Sequence, residues 1–95
     1  MEYRKWETTK DSYTYHLNDN TTIILYKNND DKDFYNIILM NDAIGCSEVS
    51  TSFFSTNDNI EEIQSYALYC LLKSLQSTIN SFQYFYDEIE EVYKS

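Results

Sequence analysis

Residues 58–94 read DNIEEIQSYALYCLLKSLQSTINSFQYFYDEIEEVYK, and this stretch decides the fold. Ile60, Ile63, Ala67, Leu71, Leu75, Ile79, Phe82, Tyr86, Ile89 and Tyr93 recur at steps of three and four, which is one apolar stripe of a helix. Leu68 and Leu72 widen it. No proline or glycine interrupts it. Asp58 stands where an N-cap belongs, and Glu61 three residues on completes a capping box. Asp58, Glu61 and Glu62 also favour the positive end of the helix dipole. Unbroken, such a helix runs about 50 Å, while a six-residue strand spans only about 20 Å. It therefore overhangs a sheet, bends, or packs on a second copy. Ser, Thr and Asn weaken helices, so a break is expected at 77–81 if anywhere. The expectation is one long helix laid across one sheet face.

The preceding residues read as strands. Tyr13, Tyr15 and Leu17 alternate on one side of a strand over 13–17. Thr21–Lys27 (TTIILYK) is β-branched and apolar, and Asn18-Asp19-Asn20 before it is a three-residue hairpin loop. Phe34–Met40 (FYNIILM) follows an Asn/Asp-rich turn over 28–33. Residues 41–45 turn again, and Glu48–Phe54 alternates through Val49, Thr51 and Phe53. Residues 3–8, around Trp6, add a first strand or an irregular cover. Short connections between consecutive strands favour an antiparallel meander. The fold expected is α+β: four or five antiparallel strands over residues 3–55, packed against a C-terminal helix over 58–94, in one domain of 95 residues.

Charge supplies the functional hint. Sixteen Asp and Glu stand against seven Lys and Arg, for a net charge of −9, and ten residues are tyrosine. Self-repulsion at that charge works against a small fold, so stability is expected to rise with salt as the repulsion is screened. A melting temperature that falls between low and moderate salt would contradict this. Sequence-independent affinity for nucleic acid comes from cations neutralising phosphates. With seven scattered cations, direct nucleic-acid binding is not expected.

Catalytic and metal motifs are missing. The run 28–33 lacks the glycine and the bidentate glutamate of a calcium loop; it reads as an acidic hairpin tip. Cys46 and Cys70 have no neighbouring Cys or His at metal-ligand spacing. His16 sits in a strand opposite in facing to Tyr15 and Leu17, and reads as a solvent-side histidine. Paired carboxylates, Glu61-Glu62 and Glu90-Glu91, read as a solvated face. One glycine excludes a glycine-rich phosphate loop. No enzyme, cofactor or metal is expected. Residues 1–7 carry no apolar stretch behind their cations, and no run approaches the ~20 apolar residues of a membrane span. The expected location is the cytoplasm.

Carboxylates on a stiff frame can occupy a basic channel that another protein reserves for phosphate. The residues expected to do so are Asp30, Asp31 and Asp33 on the hairpin tip, Glu61 and Glu62 at the helix start, and Asp87, Glu88, Glu90 and Glu91 near its end. Tyr84 joins them: with Phe85 it falls off the main stripe, and tyrosine is enriched at interface hot spots. Tyr66, Tyr69, Tyr84 and Phe85 make either a partner surface or the far side of a core wrapped by residues 1–12. In the first case they also offer a two-fold self-association face, so the chain is expected as monomer or homodimer.

The tyrosine- and asparagine-rich strands YTYHLNDNTTIILYK and FYNIILM, the capped helix DNIEEIQSYALYCLL and the tail YDEIEEVYKS resemble, in composition and layout, the small acidic proteins of phages and mobile elements of low-GC bacteria, anti-CRISPR proteins among them. That resemblance implies a stoichiometric, non-enzymatic inhibitor in the bacterial host cytoplasm. It would bind a defence nuclease, such as a CRISPR-associated one, by nucleic-acid mimicry.

Overall fold

A computed structural model describes residues 4–42 and 48–94. Five antiparallel strands form one sheet in sequence order: β1 (Trp6–Thr8), β2 (Ser12–Asn18), β3 (Thr21–Lys27), β4 (Phe34–Asn41) and β5 (Glu48–Phe54). One helix, α1 (Ile60–Lys94), follows. The α+β meander and helix expected from the sequence are what the chain forms. The start of the first strand at Tyr3, part of the turn over 41–45, and Cys46 lie outside the described residues.

Register puts the apolar residues on one side. Tyr13 faces Leu25, Leu25 faces Ile37, and Tyr15, Ile23, Leu39 and Val49 form the next row. Period-2 alternation sends the intervening residues to the other side. The helix packs over β4 and β5. Ile63, Ala67 and Leu71 of α1 are buried with Ile23, Leu25, Tyr35, Ile37 and Phe53, and Leu25 and Ile37 are fully inaccessible. Tyr35 and Phe53 stack at 5.5 Å beneath the helix.

Asn and Asp close the turns, because their side-chain oxygens accept bonds from backbone N–H groups two residues on. Asn28 Oδ1 accepts from Asp30 N at 2.8 Å, and Asp31 Oδ1 from Asp33 N at 3.0 Å. Asn18 Oδ1 accepts from Asn20 N at 2.8 Å. That bond tightens the first hairpin: Asn18 pairs directly with Thr21, leaving a two-residue loop and a bulge between His16 and Asn18. The three-residue loop expected from sequence is thereby corrected.

The helix cap is also one residue from its expected place. Asn59 Oδ1, not Asp58, accepts from Glu61 N at 3.0 Å and Glu62 N at 3.3 Å. Asn57 bonds the Glu62 carboxylate and so holds the first turn from outside. Asn59→Ala is expected to cost about 1 kcal/mol, lowering the melting temperature by roughly 4–8 °C. The same change at Asp58 should be nearly silent in a thermal melt.

The helix does not break at 77–81. Thr78 Oγ1 and Ser81 Oγ donate to the carbonyls of Ser74 and Ser77, at 3.0 and 3.1 Å, and Gln76 bonds Asn80 at 3.0 Å. The two hydroxyls are satisfied within the helix without breaking its ladder, and the Gln76–Asn80 pair adds slight support. Its 35 residues run about 52 Å at 1.5 Å each, close to the 55 Å longest dimension of the molecule. Strands of seven or eight residues span only about 23–27 Å. The helix lies across the sheet over residues 60–75, and residues 76–94 overhang it, the first of the outcomes its length allowed.

Candidate functional site: an overhanging helical arm

Residues 76–94 form an arm with two unlike sides. On an ideal helix, Thr78, Ile79, Phe82, Phe85, Tyr86, Ile89, Val92 and Tyr93 fall within an arc of about 140°. Within it, Leu75, Phe82 and Ile89 repeat every seven residues, as do Ile79, Tyr86 and Tyr93. Seven-residue columns of this kind are the pattern of helices packed along their length. Yet beyond Leu75, which packs on the core, nothing among the described residues covers them: Ile79, Phe82, Ile89 and Tyr93 are 56, 66, 68 and 88 % exposed. Phe85 belongs to this face rather than off it, at its edge beside Val92. Phe82 and Phe85 stand 6.5 Å apart, and Phe85 meets Tyr84 edge-on at 5.9 Å.

The opposite side carries the acids. Asp87, Glu88 and Glu91 point away from the apolar arc, and Glu90 lies at its border. Glu90 pairs with Lys94 at 3.1 Å, and Asp87 accepts a bond from Gln83 at 2.9 Å. Lys94 is the arm's one cation, so the back of the arm is net negative. Tyr84 lies on this back, 61 % exposed.

The other acids gather at one end of the molecule. Ser55 N donates to the Asp33 carbonyl at 2.8 Å, and Phe54 pairs with Phe34 across β4 and β5. The hairpin tip bearing Asp30, Asp31 and Asp33 thus shares an end with Glu61 and Glu62. Asp87 to Glu91 lie toward the far end of the helix. Within one chain, then, two of the three acidic segments come together and the third stands apart.

Residues 4–12 do not wrap the helix, which corrects the reading of Tyr84 and Phe85 as the far side of a core. β1 is the edge strand opposite β5, and α1 lies over β4 and β5. Tyr66 reaches past the β5 side, where its ring meets Phe53 edge-on at 5.4 Å, and half of it remains exposed. The charge of the Cys70 thiolate, then a hydrogen bond to that thiol, hold the Tyr66 phenol above its ordinary pKa. Lys73 lies over the Tyr69 ring at 5.1 Å, and a hydrogen bond to Tyr69 raises its pKa.

Two further groupings escaped the sequence. Lys10, Lys27 and Lys32, far apart in the chain, line one cleft of about 450 Å³ between the β1–β2 and β3–β4 turns, with Asp11 among them. The cations are thus less scattered than their spacing suggests. Glu7, His16 and Thr22 form a row on the side of the sheet away from the helix, with His16 Nε2 3.8 Å from Glu7 and Nδ1 3.3 Å from Thr22 Oγ1. Carboxylate, imidazole and hydroxyl are the members of a nucleophile relay. Such a relay also needs donors aimed at an oxyanion and walls that exclude water, and this row lies along a strand face. His16 is half-buried there rather than solvated as expected, because its neighbours on β1 and β3 flank it. Cross-strand pairing could not be counted from the sequence before the register was known.

Among the described residues no group of three His, Cys, Asp or Glu side chains is placed to hold a metal ion, and no helix is long and apolar enough to cross a membrane. Comparison of the chain with protein-family models, with curated proteins and with solved structures found no match.

Proposed function

We propose that this protein is a non-enzymatic protein-binding module that inhibits a basic, nucleic-acid-handling protein. In this reading it acts in the bacterial host cytoplasm, encoded by a phage or mobile element, against a defence nuclease such as a CRISPR effector. The supporting observation is the arm. Asp87, Glu88, Glu90 and Glu91 are carried along about 6 Å of one straight helix, and Lys94 is the single cation beside them. Closely spaced carboxylates on a stiff rod offer a cationic groove what a phosphate backbone offers it. Tyr84 on the same side adds an aromatic anchor. The hairpin-tip acids Asp30, Asp31 and Asp33, with Glu61 and Glu62, form the second contact.

The test is capture from a bacterial lysate at low and high salt, with the captured proteins identified by mass. A nucleic-acid-binding protein released by duplex DNA or by salt is the expected result. The variant D87K/E88K/E90K/E91K should retain the fold and lose at least about tenfold in affinity, mainly through slower association. Full-strength binding by that variant would remove the acidic arm from the contact.

The alternative reading is a self-associating assembly protein, and the apolar side of the same arm favours it. The two readings centre on opposite faces of the arm.

A further inference from the structure

We infer that two copies of this chain exchange their helical arms, each arm filling the vacant half of the other's sheet. The inference deepens the self-association reading and rests on it. Two vacancies in one molecule carry it. Among the described residues, the arm has an apolar face and no sheet beneath it. The sheet has an apolar face and too little helix above it.

The second vacancy follows from widths. Five strands at about 4.8 Å make a sheet roughly 24 Å across, and one helix covers about 10 Å of it. Here α1 lies over β4 and β5. Trp6, Tyr13, Tyr15 and Leu17, on β1 and β2, reach the core yet stay only partly buried. Room for one more helix remains on that face. The arm, 19 residues and about 28 Å long, matches the length of the strands.

The arm's wide apolar arc fits that place. In its own copy, α1 turns the Tyr66 side toward β5, since Tyr66 meets Phe53. The opposite side, bearing Leu68 and Leu75, packs toward the rest of the core, with Leu72 beside them and 64 % exposed. A two-fold axis along the sheet normal, near residues 76–79, lays a second α1 antiparallel beside the first. The incoming arm then turns Ile79, Phe82, Tyr86 and Tyr93 toward Leu68, Leu72 and Leu75. It turns Thr78, Phe85 and Val92 down onto Tyr13, Tyr15 and Leu17. One arc serves two surfaces at right angles, which explains why it is broader than a two-helix seam requires.

Charge agrees. The outer flank of the incoming arm bears Tyr84, Glu88 and Glu91 and faces β1. Lys10 follows β1 and stands at the end that also carries Lys27 and Lys32, which is where those carboxylates arrive. Area agrees as well. The four rings on the arc, Phe82, Phe85, Tyr86 and Tyr93, 53 to 88 % exposed, present on the order of 500 Å². Ile79, Ile89 and Val92 bring this near the roughly 800 Å² per partner of a stable interface. The exchange also carries Asp87 to Glu91 of one copy to the end of the other where Glu61, Glu62 and the hairpin tip lie. The dimer therefore collects all three acidic segments at each end. That crowding makes association tighter at higher salt, opposite in sign to capture of a cationic partner.

The test has two parts. Sedimentation equilibrium of the full chain should give a dimer, and F82E/I89E should weaken association by on the order of 1,000-fold, since each change enters a two-fold interface twice. Circular dichroism should show that variant still folded. A monomer at high concentration overturns both self-association and exchange, whatever else the arm then binds. The second part mixes two chains lacking native cysteines, one carrying Tyr15→Cys and one Phe85→Cys. Oxidation should link unlike chains and leave each chain unlinked when alone. A dimer without that cross-link overturns the exchange while leaving self-association standing.

Discussion

Leu25→Ala is expected to remove about half or more of the fold's stability. Leu25 is fully buried, paired with Tyr13 on one side and Ile37 on the other. Truncating such a side chain removes its transfer free energy and leaves a cavity, together about 2–5 kcal/mol. A domain of this size has roughly 5–15 kcal/mol in total, and its net charge of −9 places it toward the lower end. Urea denaturation followed by circular dichroism reads the loss directly. Ile37→Ala should behave alike, because Ile37 fills the same layer from β4. Truncation of Ile79, on the arm, should change the stability of the dilute protein by less than about 0.5 kcal/mol. A cost at Ile79 similar to that at Leu25 would mean that the arm is packed within its own chain.

Ser81→Pro is expected to melt the arm and spare the rest. Proline at 81 removes the backbone bond to Ser77 and drives its ring against that carbonyl, at about 3 kcal/mol or more. Residues 82–94 would then be a 13-residue helix with no nucleus and no surface to pack on, and helices of that length are marginal alone. Helical signal should fall by roughly a third to a half, since about that share of α1 lies beyond the break. The thermal transition of the sheet with residues 60–75 should keep its midpoint in dilute solution. Dimerisation and capture of a cationic partner should both be lost. A single cooperative collapse of the whole chain would show that the arm and the sheet are one folding unit.

Much of this architecture was legible because the signals were local. The β-branched run of Thr21–Lys27 and the alternation of Glu48–Phe54 gave their strands residue for residue. The 3.6-residue stripe gave the helix to within two residues at its start. What escaped were choices between near-equivalent neighbours. Asp58 and Asn59 are both good caps, and the bond of Asn59 Oδ1 to two amides decides between them. Asn18 reads as a loop residue, yet its side chain shortens the loop and draws it into the ladder. The acidic positions were legible, while their grouping was not. Which hairpin tip stands beside the start of α1 depends on how β4 meets β5. The apolar stripe hid the most consequential fact. Leu71 and Ile89 look alike in the pattern, but one is buried against the sheet and the other lies past the sheet's end.

Amide hydrogen exchange across a range of protein concentrations tests the central claim most directly. Among the described residues no layer packs over 77–94, so their opening free energy should be near zero in dilute solution and rise with concentration as a second chain covers them. Amides of β3 and β4 should stay protected throughout. Protection of 77–94 that equals that of β3 and ignores concentration would contradict the account, since the arm would then be held by its own chain alone.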